Sequence, residues 1–247
     1  MAKKKSDELN VELKRYLRKY PKTEHMELLI ADLAGVLRGK RIRRNEFSKT
    51  IRDGFTLPGG AVLLDTIGDV IEGLPWGETD GDPDTEAELV PGSLTAVPWA
   101  KKPMAQAMFR FLARDGSPFF ADPRYVLQRA ATPLENMGLK IVMATELEFY
   151  LLNGKTDQPT ASVPLVPGIG RPQPGPQVYN SDDLWDIDNF LNDLHAACEI
   201  QGLPAGTTSS EFAPGQFEIN LHHVDNPVLA CDQGILLKRA IKAVARQ

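Results

Sequence analysis

One stretch limits the folds open to this chain more than any other. It is Ala144-Thr-Glu-Leu-Glu-Phe-Tyr-Leu-Leu152, an apolar run carrying two acids one residue apart. Read as part of a strand over 139–152, it puts Glu146 and Glu148 on one face and Leu147 and Phe149 on the other, because side chains alternate along a strand. Two residues along a strand is about 6.6 Å. Two carboxylates that close repel each other and lose hydration on a covered face. The face must therefore be wet, paired with bases, or occupied by a hard divalent cation such as Mg²⁺ or Mn²⁺, which takes oxygen ligands. Taken alone, the pattern reads as a solvated face.

A second acidic segment shifts the balance. Glu211-Phe-Ala-Pro-Gly-Gln-Phe-Glu218 sets one Glu before a Pro-Gly turn and another on the strand that follows, predicted over 216–223. The turn can fold Glu211 back beside Glu218. Asn220 and His222 follow on the same face if the strand is regular. Four acids from two apolar strands, Glu146, Glu148, Glu211 and Glu218, make a candidate cage for more than one cation. Spacing alone does not say whether the two strands are neighbours.

Around these segments the pattern is that of an α+β chain. An opening helix carries Leu9, Leu13, Tyr16, Leu17 and Tyr20 on one stripe and stops at Pro21. Residues 26–32 and 36–42 read as a hairpin, 45–53 as a short helix, and 94–99 and 105–112 as strands. The acidic stretch 65–88 and the Pro- and Gly-rich stretch 153–179 read as loops. Asp122-Pro123 should open a helix to Met137 that Gly138 stops, with a kink or break at Pro133. Residues 183–201 read as one amphipathic helix. Asn226-Pro227 opens a last helix still in register at Gln247, so the chain is read as ending within a structure. The division expected is a helix over 1–22, a small β-rich domain over 23–115, and an α+β unit over 116–247.

Composition excludes several classes. With 247 residues, 42% hydrophobic and 25% charged, the chain can bury a core without disulfides or metal. No apolar run reaches membrane-spanning length, and the basic start Lys3-Lys4-Lys5 with no apolar stretch after it does not read as a secretory signal, so no membrane partner is expected. Two cysteines, Cys198 and Cys231, fit core filling and a reducing cytoplasm. The net charge of −5 is uneven: residues 1–52 hold 15 Lys and Arg against 7 Asp and Glu. Such an arm could contact nucleic acid, but no nucleic-acid motif accompanies it, and a solvated face or subunit contact is the preferred reading. Asp80-Gly-Asp82-Pro-Asp84 lacks the Gly and Glu of a calcium-binding EF-hand loop. Gly168-Ile-Gly170 lacks the strand and helix of a dinucleotide fingerprint, and no P-loop occurs. His195 reads as structural; His222 and His223 are left open.

Five segments in order resemble the glutamine synthetase superfamily, and most of all its γ-glutamylpolyamine branch. They are Glu12-Leu-Lys-Arg-Tyr-Leu-Arg-Lys-Tyr-Pro21, Ala31-Asp-Leu-Ala-Gly-Val-Leu-Arg-Gly-Lys-Arg-Ile42, Gly81-Asp-Pro-Asp84, Glu146-Leu-Glu-Phe-Tyr-Leu-Leu152, and Pro214-Gly-Gln-Phe-Glu-Ile-Asn-Leu221 running on to Ala230-Cys-Asp232 and Leu237-Lys-Arg239. The resemblance implies an N-terminal β-grasp domain followed by the first part of the family's catalytic domain, an antiparallel sheet with flanking helices. It implies an ATP-dependent ligase that phosphorylates the glutamate side chain and lets an amine, putrescine, a polyamine or ammonia, displace phosphate. By motif position, Glu148, Glu211 and Glu218 would share one Mg²⁺ or Mn²⁺ and Glu146 would help hold another. It also implies a homo-oligomeric ring whose active sites form between subunits.

Family members run to nearly twice this length. Their later sequence brings a metal-binding His, another metal-binding Glu and phosphate-binding arginines, which have no counterpart here. The expectation is therefore a chain that is catalytically incomplete by itself. The competing reading is a non-catalytic remnant that only binds or oligomerises. The loop Leu57-Pro-Gly-Gly-Ala-Val-Leu-Leu-Asp65 also departs from close relatives, in which a Ser is expected where Gly59 or Gly60 stands.

Overall fold

The computed structural model describes residues 2–74, 80–154, 157–166 and 168–247, the side chains of 2–5 excepted. It divides into two compact units, Met1–Leu139 and Lys140–Gln247. No described helix is long and apolar enough to cross a membrane. Both cysteines are free thiols, and burial pushes that of Cys198 up to about 11.

The first unit begins with α1 (Ala2–Lys19), which buries Leu9, Leu13 and Tyr16. Glu12 is also buried, and its carboxylate accepts the backbone N–H groups of Gly92 at 2.8 Å and Leu94 at 2.9 Å. An acid can sit there because two donors replace its water. The expected hairpin is β1 (His25–Ala31) and β2 (Leu37–Arg43), antiparallel, with Met26 opposite Ile42. Buried Asp32 closes its turn, accepting from the N–H groups of Ala34 and Val36 and from Arg38 Nε at 2.8 Å. The helix expected over 45–53 is a 3₁₀ turn, Arg44–Glu46, leading into α2 (Phe47–Asp53).

The sheet is completed by β3 (Phe55–Pro58), β4 (Asp84–Leu89), β5 (Thr95–Ala96) and β6 (Met104–Leu112). Its order is β2-β1-β6-β4-β3, with β5 on β6 and the β1–β6 pair parallel. Met26, Leu28 and Ile30 of β1 and Ala105, Ala107, Phe109 and Phe111 of β6 form one face, and Leu9, Leu13, Phe47 and Ile51 of the helices join the same core. The strand expected over 94–99 shrinks to β5, since Pro98 has no N–H for a ladder. The end of the expected acidic loop is strand β4, whose Ala87 and Leu89 point inward between exposed or half-buried acids.

Asp122 starts α3 (Pro123–Asn136) as expected, accepting from the N–H groups of Arg124 and Tyr125. Its other oxygen takes the N–H of Phe111 in β6 at 2.9 Å. That bond ties α3 to the first sheet, so the compact units part at 139/140. The helix runs on through Pro133, which sits in its last turns.

The second unit holds β7 (Glu146–Tyr150), β8 (Ala205–Ser210) and β9 (Gln216–Leu221) in the order β7-β9-β8, antiparallel throughout. The long strand expected over 139–152 is only β7 plus isolated bridges at Met143 and Leu152. Strand β8, Ala-Gly-Thr-Thr-Ser-Ser, was not expected at all, since it offers no apolar alternation. The helix expected over 183–201 is broken into α4 (Ser181–Trp185) and α5 (Asp188–Gln201). The carboxylate of Asp186, at the break, accepts from the N–H of Leu165 in the neighbouring loop. Helix α6 (Pro227–Val244) follows its Asn226 cap, whose side chain accepts from the N–H of Leu229 at 3.0 Å.

Gly234 in the middle of α6 meets the start of β7. A Cβ there would lie 2.8 Å from Thr145 Oγ1 and 3.0 Å from Cγ2. Thr145 is β-branched and stiff, so it cannot step aside cheaply. We expect Gly234→Ala to destabilise the chain by about 1–2 kcal/mol in urea unfolding, despite the better helix propensity of Ala. Adding Thr145→Ser should recover part of the loss.

Candidate metal centre

The alternation of β7 and β9 places the acids. Glu148 stands directly opposite Glu218, and Glu146 opposite Asn220. The opposite sides of these strands carry Phe149 and Phe217, with ring centres 6.3 Å apart, and Leu147 beside buried Ile219. Burying that apolar side turns the acids outward together. Ser209 of β8 lies opposite Glu218 on its other flank.

The Ala213-Pro-Gly-Gln216 turn then brings Glu211 back. Its N–H donates to the Gln216 carbonyl at 2.8 Å, and Gly215 takes a positive φ of 77°. Carboxylate oxygens of Glu148, Glu211 and Glu218 all lie within 4.8 Å of one another. Glu146 shares the face without joining that group of three. It lines, with Glu218, Asn220, Thr207 and Tyr179, an open cleft of about 540 Å³.

Electrostatics marks this spot as unusual. The carboxyl of Glu218 is pushed above its ordinary range, first by a hydrogen bond shared with Glu211, then by burial, then by the charges of Glu211, Glu146 and Glu148. The neighbouring carboxylates thus raise the cost of ionising Glu218. A hard divalent cation reverses that cost, and three convergent carboxylates suit Mg²⁺ or Mn²⁺. The donor set therefore fits such an ion.

The histidines sit elsewhere. His195 Nε2 lies 3.3 Å from Thr208 Oγ1, a structural contact. His222 falls just past the end of β9, and its ring fills the space beside Gly206. Two residues not singled out from the sequence belong to the centre. Ser209 Oγ donates to Glu211 Oε1 at 3.2 Å, and Gln216 Nε2 donates to Glu148 Oε2. Gln216 was legible in principle, two residues before Glu218 on the same face. Ser209 was not, because its strand has no pattern.

The class these features define is an α+β protein whose small antiparallel sheet gathers carboxylates able to hold a divalent cation. A family model, glutamine synthetase, catalytic domain, matches residues 120–247. The chain belongs to the glutamine synthetase family. It is 38% identical to γ-glutamylputrescine synthetase of Escherichia coli (strain K12), over 96% of this chain and 50% of that protein. It is 29% identical to glutamate–isopropylamine ligase of Pseudomonas sp, over 87% of this chain and 46% of the relative. Among solved structures, a novel glutamine synthase homolog superposes with TM-score 0.73 at 20% identity, covering 91% of this chain and 49% of its own. Plasmodium falciparum glutamine synthetase does so with TM-score 0.72 at 17% identity, covering 96% and 48%. The chain spans about half the length of the curated relatives it matches.

The like-charge cluster has a signed consequence. Glu218 has a raised folded-state pKa, so above the usual 4.5 the native chain holds more protons than the unfolded one. Stability then falls as pH rises through the window from that value to the raised one. Glu211→Gln removes the first cause and still offers an amide donor to Glu218. Without divalent metal, we expect this variant to melt above the parent chain at pH 7 and the two to converge near about pH 4, read by thermal unfolding across pH.

Proposed function

We propose that this chain carries the acidic half of the cation centre of an ATP-dependent carbon–nitrogen ligase. The ligase joins the side-chain carboxyl of glutamate to an amine, putrescine or another polyamine in the first instance and ammonia as the alternative. The observation that carries this is the convergence of Glu148, Glu211 and Glu218 within 4.8 Å in a chain of this family.

The chemistry follows from the weakness of carboxylate as an electrophile. The γ-phosphoryl group of ATP passes to a glutamate side-chain oxygen, leaving ADP and an acyl phosphate. The amine nitrogen attacks the carbonyl carbon, phosphate departs, and the nitrogen loses a proton. Bound Mg²⁺ or Mn²⁺ offsets phosphate charge and stabilises the transferring group. In this reading Glu148, Glu211 and Glu218 hold one ion, and Glu146 contributes to a second. Residues 23–115 are a β-grasp domain after the helix of 1–22, residues 116–247 open the catalytic domain, and the protein works as a cytoplasmic homo-oligomeric ring.

Manganese binding to the 247-residue chain, followed by electron paramagnetic resonance, tests the centre. Glu148→Gln, Glu211→Gln and Glu218→Gln should each weaken the tightest site by about tenfold or more, and Glu146→Gln should weaken it least. Turnover tests the reaction. The chain alone should release no phosphate from ATP, whereas a longer protein carrying these residues with a full family catalytic domain should release it when glutamate and an amine are both supplied. Absence of amine-dependent release with putrescine and with ammonia would overturn the ligase reading.

A further inference from the structure

Gln216 occupies a junction that the ligand set does not explain. Its side-chain Oε1 accepts from the backbone N–H of Ala213 at 3.1 Å and from the hydroxyl of Tyr150 at 3.4 Å. A backbone N–H can only donate, so the oxygen end of the amide must face Ala213. The amide is thus oriented by its neighbours, and its nitrogen end points at Glu148, where Nε2 donates to Oε2. The same residue accepts the N–H of Glu211 at its backbone carbonyl, 2.8 Å away, and gives its own N–H to the carbonyl of Ala213 at 2.9 Å.

We infer that Gln216 is the positioning residue of the metal centre, holding Glu148 through its side chain and Glu211 through its backbone. The inference rests on the cation reading of Glu148, Glu211 and Glu218. Its physical content is specific. A carboxylate free to rotate offers either oxygen, or both, to an ion. With one hydrogen bond already on Oε2, Glu148 would have Oε1 left as the freer oxygen to offer an ion. The hydrogen bond also offsets part of the charge that Glu148 sets against Glu218, which lies directly opposite. Outer contacts of this kind commonly change metal affinity about 10- to 100-fold. The Pro214-Gly215 turn supplies the leverage. Because the Ala213 N–H holds the amide, the position of Glu148 is referred to the same turn that carries Glu211. Two of the three carboxylates are thereby set by one residue that touches no ion.

The test is a double-mutant cycle on Mn²⁺ affinity, read by electron paramagnetic resonance on the 247-residue chain. Gln216→Met keeps the length and removes donor and acceptor. Gln216→Asn keeps the amide and shortens it, and serves if the first variant folds poorly. Each should weaken Mn²⁺ binding about tenfold or more. In a Glu148→Gln background, Gln216→Met should add little further loss, because the bond it removes acts on that carboxylate. A glutamine that merely supports the turn predicts additive losses instead, and additivity or unchanged affinity in the single variants overturns the inference. If the parent chain binds no Mn²⁺, the cation reading itself fails, an outcome separate from a parent chain that binds while the Gln216 variants bind equally well.

Discussion

The second unit is organised around a repulsion. Glu148 and Glu218 face each other across adjacent strands, and a Pro-Gly turn folds Glu211 onto the same spot. Like charges directly opposite on a sheet weaken the pairing. The sheet tolerates them because its other face is apolar, with Phe149, Phe217 and Ile219 packed together, and a strand cannot bury one set of side chains without presenting the alternate set. The close approach of Gly234 to Thr145 fixes the start of β7 just before Glu146. The cost of gathering the acids is thus met by packing that lies behind them.

Carboxylates elsewhere in the chain show what a structural acid looks like. Glu12, Asp32 and Asp122 are each buried, and each accepts at least two backbone N–H groups. Their partners are donors, and their work is to pin a helix, a turn or a helix start. Glu218 is surrounded differently, by Glu211, Glu146 and Glu148, and its carboxyl is held above the ordinary range as a result. That contrast, donors around one group and acids around the other, separates the fold-making carboxylates from the cluster proposed to hold a cation. Gln216 and Ser209 stand between the two kinds, polar groups that orient an acid without relieving the cluster of its charge.

Much of this was readable from residue order. The first hairpin, the Asp122 and Asn226 caps, the two faces of β7 and β9 and the return of Glu211 all follow from short-range rules: alternation, capping chemistry and turn residues. Elements without such a signature were missed. Strand β8 is made of small polar residues and exists because β9 offers it a ladder. The break between α4 and α5 comes where the Asp186 side chain meets the backbone of a distant loop, which no helical period announces.

The sequence by itself therefore determined which acids share a face, because strand period and turn chemistry are local. It also determined the family, because motif order survives without coordinates. Only the tertiary structure decided that β7 and β9 are neighbours in a register setting Glu148 against Glu218. It likewise decided that α3 is tied to the first sheet through Asp122. Those are facts of strand pairing and long-range hydrogen bonding, which depend on the burial of remote apolar surface and leave no mark on the spacing of nearby residues.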